Sequence, residues 1–375
     1  DGDIISAIQE ERFSRKKHDS SFPLKSIRSC LNQEKIRPED IDFIVFYDKP
    51  FLKFERILET SFAFAPRGFN SFKNSMPIWI KEKLFQKNLI IKELERNIST
   101  EVDWKSKLMF SEHHLSHAAS AFYPSPFEKA AILTMDGVGE WSTTSLCIGN
   151  KRDISILKEL HFPHSLGLLY SAFTYYCGFK VNSGEYKLMG LSPYGQPKYL
   201  NLIKDNLIDI KEDGSFFLNM DYFNYCTGLT MTSKEFDKLF EGSPRKPESD
   251  ITQKEMDLAS SIQKVIEEVL IKLARSIRRE TEMKNLCLAG GVALNCVANG
   301  KLLNEGIFEE IWIQPAAGDA GGALGAALSA YHLMLKKPRK VNENKDSMKG
   351  SLLGPSFYKQ DIHKVLKAKG ASFKD

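Results

Sequence analysis

Glu112-His113-His114-Leu115-Ser116-His117-Ala118-Ala119 carries three imidazoles, and Thr134-Met135-Asp136-Gly137-Val138-Gly139-Glu140 follows closely. If the first stretch is helical, His113 and His117 lie four apart on one face, so both rings can reach a single ion. His114 then points elsewhere, as a bystander or a support, and the small Ala118, Ala119 and Ala121 let the helix pack closely against a neighbour. Two histidines at this spacing are also what a satisfied core pair or a polar helix face would show. A zincin helix is excluded, because it needs a glutamate directly after its first histidine and His114 stands there. Two imidazoles leave an ion short of ligands. A further one must come from elsewhere, and a carboxylate fits if the metal is to keep open positions for a substrate.

Three other stretches can do chemistry. Asp136-Gly137-Val138-Gly139-Glu140 follows the apolar run Ala130 to Met135, so its glycines offer backbone N–H groups to a phosphate while the carboxylate holds a cation or a water. The same residues also make ordinary tight turns. Asn285 to Ala289 leads into Gly290-Gly291 and a helix start near Asn295, where the helix N-terminus favours an anion. Ile311 to Ile313 leads into a second glycine-rich turn, Gly318-Asp319-Ala320-Gly321-Gly322, and Asp319 is the candidate third ligand. Arg12, Arg15, Lys16 and Lys17 form a cationic run suited either to phosphate or to solvent.

The elements that must position these residues are legible in outline. The opening Asp1-Gly2-Asp3 reads as a hairpin turn into a strand at Ile4 to Gln9, which implies a first strand upstream of residue 1. A helix is expected near Leu24 to Leu31, a turn at Pro38-Glu39-Asp40, and a buried parallel strand at Asp42 to Asp48. Residues 51–98 read as a helical, aromatic-rich insertion, with Phe62, Phe64, Phe69, Phe72, Trp79 and Phe85 forming either core or a surface for a partner. Lys107 to Phe110 is a short strand into the histidine helix. Ser145 to Gly149 is the hairpin partner of Ala130 to Met135, and Ser165 caps a helix. Asn182-Ser183-Gly184-Glu185-Tyr186-Lys187 begins a segment rich in small and polar groups. Residues 211–254 look like an irregular, charged insertion. Leu258, Ile262, Val265, Val269, Leu273 and Ile277 mark a long amphipathic helix. After Leu335 the composition becomes that of a linker, and a new helix is expected over 360–369.

Composition adds bounds. The 375 residues, 42% hydrophobic and 27% charged, are enough for two lobes with ample core. A net charge of +4 gives no argument for nucleic acid, and the apolar runs are too short to span a membrane. The six cysteines are scattered without a C-x-x-C pair, which fits buried thiols in a reduced cytoplasm.

Two strand-to-glycine-turn units, each with an acidic residue and each before a helix, suggest an α/β fold of the duplicated actin, hexokinase and Hsp70 type, with two lobes and a central cleft. The expected division is 1–129, 130–335 and a tail at 336–375. Beyond this, Glu10 to Asp19, His113 to Phe122, Met135 to Trp141, Ser183 to Leu191, Gly290 to Asn295 and Pro315 to Gly325 together resemble the O-carbamoyltransferases of nodulation-factor and antibiotic tailoring. The resemblance covers nearly the whole chain in order. It implies a domain similar to the universal tRNA threonylcarbamoyl transferase, with Fe2+ or another divalent ion on His113, His117 and Asp319. It also implies that ATP, with Mg2+, and carbamoyl phosphate give carbamoyl-adenylate, whose carbamoyl group passes to a hydroxyl of a small molecule or sugar. Asp136, Gly137, Gly139, Glu140, Gly290, Gly291 and Asn295 would contact the nucleotide, with Ser183, Glu185 and Lys187 nearby. The family further carries an upstream histidine segment and a C-terminal YrdC-like domain, so this sequence is expected to be a fragment lacking both.

Alternatives differ in what they predict. A tRNA threonylcarbamoyl transferase is disfavoured by Trp141 to Thr144, by the aromatic insertion and by the absence of a basic stripe. A nucleotide-binding module without turnover would bind ATP independently of His113, and a kinase would be indifferent to carbamoyl phosphate. A homodimer through the aromatic stripe is a further expectation.

Overall fold

The computed structural model describes residues 2–79 and 85–374. Asp1 of the expected opening turn and residues 80–84 of the expected helical insertion lie outside the described residues. At the centre is a five-stranded mixed sheet of order β5-β4-β3-β8-β9, formed by β3 (Lys129–Met135), β4 (Ser142–Asn150), β5 (Asp153–His161), β8 (Asn285–Ala289) and β9 (Glu310–Ile313). β3, β8 and β9 run parallel, whereas β3 to β4 and β4 to β5 are antiparallel hairpin pairs. β5 was not anticipated, because its residues are largely exposed and charged, as suits an edge strand.

The sheet separates two apolar layers. Ala131, Leu133 and Met135 face one, with Leu166, Phe173 and the long helix Gln253–Thr281. Ala130 and Ile132 face the other, with Ala118, Ala119, Ala121 and Phe122 of the histidine helix His113–Phe122. That alternation is the period of a strand. Gly149 on β4 is required by this packing, since a Cβ there would meet the Phe122 ring at 2.5 Å. Helix Asp319–Ser329 lies against the histidine helix so closely that a Cβ on Gly325 would stand 1.8 Å from the Ser116 carbonyl oxygen. Gly325 thus lets the two helices approach, while Ala118, Ala119 and Ala121 let the histidine helix pack in the cluster it shares with the sheet.

A separate two-stranded parallel sheet joins β1 (Ile44–Phe46) to β2 (Leu108–Phe110), pairing Phe46 with Phe110. β1 is shorter and less buried than the strand expected over Asp42 to Asp48, and β2 is the short strand expected before the histidine helix. The helix that a boundary at residue 129 would assign to the first lobe shares one apolar cluster with β3, β4 and β8 of the second. Ile4 to Gln9 is not a strand: Ile4 is buried, and Ala7 donates a single backbone bond to Leu353.

The two segments read as peripheral are built into the core. Within 211–254, β7 (Phe216–Leu218) pairs with β6 (Ile208–Ile210), and Phe216, Phe223, Phe236 and Phe240 are buried in the main cluster. In the tail, Met348 and Leu353 join the second cluster. Arg339 donates to the carbonyls of Phe122, Tyr123, Ser125 and Phe127, so it closes the C-terminal end of the histidine helix. In the aromatic segment, helices Pro50–Ala63, Phe69–Trp79 and Gln86–Asn97 leave Phe62, Phe69 and Phe85 largely exposed, while Phe64, Phe72 and Trp79 are half-buried.

Candidate metal centre

The histidine helix forms where expected, and every residue from His113 to Phe122 except Leu115 is buried. Its N-terminus is held by Glu140: the backbone N–H of His113 lies 3.0 and 3.1 Å from the two carboxylate oxygens. A negative charge there also complements the helix dipole. Across the first turn, His113 Nε2 and His117 Nε2 approach to 3.1 Å.

Two carboxylates close on the same point. Asp136, delivered by the end of β3, has Oδ2 at 2.9 Å from His113 Nε2 and 3.7 Å from His117 Nε2. Asp319, the first residue of its helix, has Oδ1 at 3.6 and 3.5 Å from the same two nitrogens. The ligand atoms of His113, His117, Asp136 and Asp319 all lie within 4.8 Å of one another. Two imidazole nitrogens and two carboxylate oxygens are a donor set that suits several divalent first-row ions, and the residues present fit such an ion.

The electrostatics of the metal-free cluster agree. Burial opposes the charged form of His113, but hydrogen bonds to Asp136 and Asp48 outweigh it and raise the ring to about 10. Burial likewise opposes the charge on His117, and bonds to Asp136 and Asp319 raise it. Asp136, although buried, is held far below the usual carboxylate range by the two histidines. His114 is different: burial and the charges on His113 and His117 keep it neutral, and its Nδ1 sits 2.8 Å from Thr134 Oγ1 and 2.8 Å from Ser145 Oγ. It supports the helix from behind and does not face the cluster.

The residues expected around a nucleotide divide into three groups. Asp136, expected at the nucleotide, turns Oδ2 toward the imidazoles, and its Oδ1 accepts from the Gly291 N–H at 2.9 Å. Gly290, with φ of +88°, brings its backbone so close to β3 that a Cβ would meet the Met135 carbonyl oxygen at 2.2 Å. Gly137, Gly290 and Gly291 therefore surround the same strand end. Gly139 packs against the histidine helix, where a Cβ would stand 3.0 Å from the Cβ of His113.

The second group is spent on structure. Both Glu140 oxygens are used on backbone N–H groups, one of them from Lys49 at 2.8 Å. Asn295 caps helix Cys296–Asn304 and exchanges hydrogen bonds with Gln263 at 2.9 and 3.1 Å. The third group sits apart from the imidazoles by its contacts. Glu185 accepts from the backbone N–H of Asn182 and Gly184, the Ser183 carbonyl accepts from Lys17 Nζ at 3.1 Å, and Lys187 lies over Phe179. Lys17 also sits 4.6 Å over the Tyr186 ring, so one member of the cationic run meets this segment.

Sequence reasoning missed three contributors, Tyr47 and Asp48 just after β1 and Lys53 on the helix that follows. Tyr47 Oη donates to Asp319 Oδ2 at 3.4 Å. Asp48 Oδ1 lies 2.7 Å from His113 Nδ1, and its Oδ2 accepts from Lys53 Nζ at 2.6 Å. The available signal was a carboxylate ending an apolar strand, the same signal that singled out Asp136.

With this geometry in hand, comparison with known families decides the relationship. Residues 1–328 match the family described as carbamoyltransferase N-terminus. The chain belongs to this family. It is 59% identical over 367 residues to the uncharacterized protein sll1178 of Synechocystis sp., covering 98% of this chain and 60% of that protein. It is 37% identical over 331 residues to nodulation protein NolNO of Sinorhizobium fredii, covering 88% of this chain and 44% of that protein. The chain thus spans about half the length of these relatives. A crystal structure of full-length HypF in the phosphate- and nucleotide-bound form overlaps 62% of the chain and 44% of HypF at 14% identity with a TM-score of 0.36, an overlap too slight to argue from. No helix among the described residues is long and apolar enough to cross a membrane.

Proposed function

We propose that this chain is the metal- and nucleotide-binding part of an ATP-dependent O-carbamoyltransferase. The observation that carries the proposal is the convergence of His113, His117, Asp136 and Asp319 on one point within 4.8 Å, in a chain of the carbamoyltransferase N-terminus family. These four residues would hold Fe2+ or another divalent ion, which supplies a Lewis acid toward the carbonyl of a carbamoyl group. Asp319 is the exposed member, its side chain 56% accessible, so the cluster opens on that side to a substrate. The backbone N–H groups around Gly137 and Gly290 lie at the strand ends beside it, where phosphate groups are best held.

In this reading ATP and carbamoyl phosphate give carbamoyl-adenylate, and the carbamoyl group passes to a hydroxyl of a small molecule or sugar. The five-stranded sheet with its flanking helices is one half of a duplicated actin-like fold, and β1 with β2 belongs to the other.

The direct test is elemental analysis of protein purified without chelators or nickel, with Asp136→Asn, His117→Ala and Asp319→Ala alongside. Near-stoichiometric metal in the wild type and its loss from all three variants is the expected result. A wild type that carries no ion and takes up none on reconstitution would leave a nucleotide-binding module as the better description.

A further inference from the structure

We propose that Asp48 is the positioning residue that assigns His113 its metal-binding nitrogen, and that Lys53 on the following helix holds Asp48 in that role. The inference rests on the metal-site reading above. An imidazole offers two nitrogens, and the hydrogen bond made by one determines which is free to ligate. Asp48 Oδ1 stands 2.7 Å from His113 Nδ1, with the Asp48 side chain 6% and the His113 side chain 1% accessible. A carboxylate at that distance requires a proton on Nδ1. Without an ion Nε2 also carries a proton, donated to Asp136 Oδ2 2.9 Å away; an ion held among Asp136, His117 and Asp319 would displace that proton and leave the one on Nδ1, so Nε2 becomes the ligating nitrogen. The opposite tautomer would set the Nδ1 lone pair against the carboxylate and put an N–H where the ion belongs.

Asp48 is not itself a ligand, because it meets the far side of the ring from the cluster. Nor is it free to turn: its second oxygen accepts from Lys53 Nζ at 2.6 Å, and the Lys53 side chain is only 15% accessible. Lys53 sits on helix Pro50–Ala63, so the aromatic-rich segment is tied to the metal centre by the path Lys53, Asp48, His113. The neighbouring Tyr47 makes the corresponding contact to Asp319. His117 has no such support, since its Nδ1 has no hydrogen-bond partner among the described residues. The ligand set is therefore anchored asymmetrically, through His113.

The test is a Co2+ titration of the chelator-stripped chain in competition with a chromophoric chelator, which reads affinity, with the visible spectrum of the bound ion reading its geometry. Asp48→Ala is expected to weaken Co2+ binding by about 10- to 100-fold and to alter the spectrum. Asp48→Asn keeps an acceptor oxygen for the Nδ1 proton and is expected to lose less. Wild-type affinity in Asp48→Ala, or equal losses in Asp48→Asn and Asp48→Ala, would overturn the proposal. Should Asp48→Ala fail to fold, the long-range proton–nitrogen NMR spectrum of the Zn2+-loaded wild type decides: His113 protonated on Nδ1 supports the assignment, and a proton on Nε2 sinks it. A wild type that binds neither Co2+ nor Zn2+ refutes the metal-site reading itself, and this inference falls with it.

Discussion

Glu140 closes the helix that His113 opens: both of its carboxylate oxygens lie within 3.1 Å of the His113 backbone nitrogen. One of them also accepts from the N–H of Lys49 at 2.8 Å, which ties the start of helix Pro50–Ala63 to the same point. Glu140 is 7% exposed, so removing it strands buried donors. Glu140→Ala is expected to destabilise the chain by about 1–3 kcal/mol in urea denaturation, with Glu140→Gln losing less because an amide oxygen still accepts. An Ala variant as stable as the wild type would show that water serves these N–H groups equally well.

The two carboxylates of the centre should separate in their effects. Asp136 is tied to the Gly291 N–H at 2.9 Å and its side chain is 13% accessible, whereas that of Asp319 is 56% accessible. Both Asp136→Asn and Asp319→Asn should lose metal. In the metal-free state, Asp136→Asn should also shift the thermal midpoint, while Asp319→Asn leaves it close to the wild type. Differential scanning fluorimetry after chelation measures this; equal shifts in the two variants would contradict the assigned difference in burial.

Much of this was legible beforehand, and the failures have identifiable causes. Spacing alone placed His113 and His117 on one helix face, and the glycine turns marked Asp136 and Asp319 as carboxylates at element ends. The sequence could not say that Asp136 turns toward the imidazoles, because that depends on β3 lying next to β8 with Gly291 fixing its other oxygen. Nor could it say that Glu140 and Asn295, polar residues in glycine-rich turns, have protein partners: the backbone of the histidine helix and Gln263. Residues 211–254 misled by charge: the phenylalanines that enter the core are spaced irregularly, so no helical or strand period announces them.

The pH dependence of the metal-free protein has a definite sign. His113 is raised from 6.5 to about 10, so the stability it confers is fully present below 6.5 and is lost as pH rises toward 10. Asp48 is lowered from 3.8 to about 2, against its burial, by His113 and Lys53; its contribution is present above 3.8 and is lost as pH falls toward 2. Chelated protein should therefore be most stable between roughly pH 4 and 6.5 and should melt progressively earlier from pH 7 to 10. Bound metal displaces the proton from the imidazoles, so the stabilisation by metal should grow across that same alkaline range. Melting curves with and without chelator test both statements, and a metal-free midpoint that rises from pH 7 to 10 would contradict the first.

Arg339 lies outside the proposed metal site, yet it caps the helix that carries His113 and His117. Its guanidinium donates to four carbonyls at the helix end and stacks 4.1 Å from the Phe122 ring centre. Burial lowers it to about 10, which still leaves it charged at neutral pH. Arg339→Met keeps apolar bulk but leaves those carbonyls unpaired, and is expected to cost about 2 kcal/mol or more. Chemical denaturation measures the loss, and an unchanged midpoint would mean that the 336–340 segment contributes nothing to holding the helix.

The contact between the two helices that bear proposed ligands makes the most demanding prediction. His113 and His117 lie on one helix and Asp319 begins the other, and their separation is set where Gly325 meets the backbone of Ser116. An added Cβ would stand 1.8 Å from the Ser116 carbonyl oxygen and 2.8 Å from the Ser120 nitrogen, both backbone atoms that cannot rotate away. Gly325→Ala must therefore push the helices apart or shift one along the other. The overpacking should cost about 1–3 kcal/mol or more. Because Asp319 moves with its helix while Asp136 stays on β3, metal affinity should fall while Asp136 and the two histidines remain together. Gly300, whose added Cβ would meet nothing within 4 Å, supplies the control: Gly300→Ala should leave metal binding unchanged. Equal metal affinity in the Gly325→Ala and Gly300→Ala proteins would indicate that the helix spacing does not govern the fourth ligand.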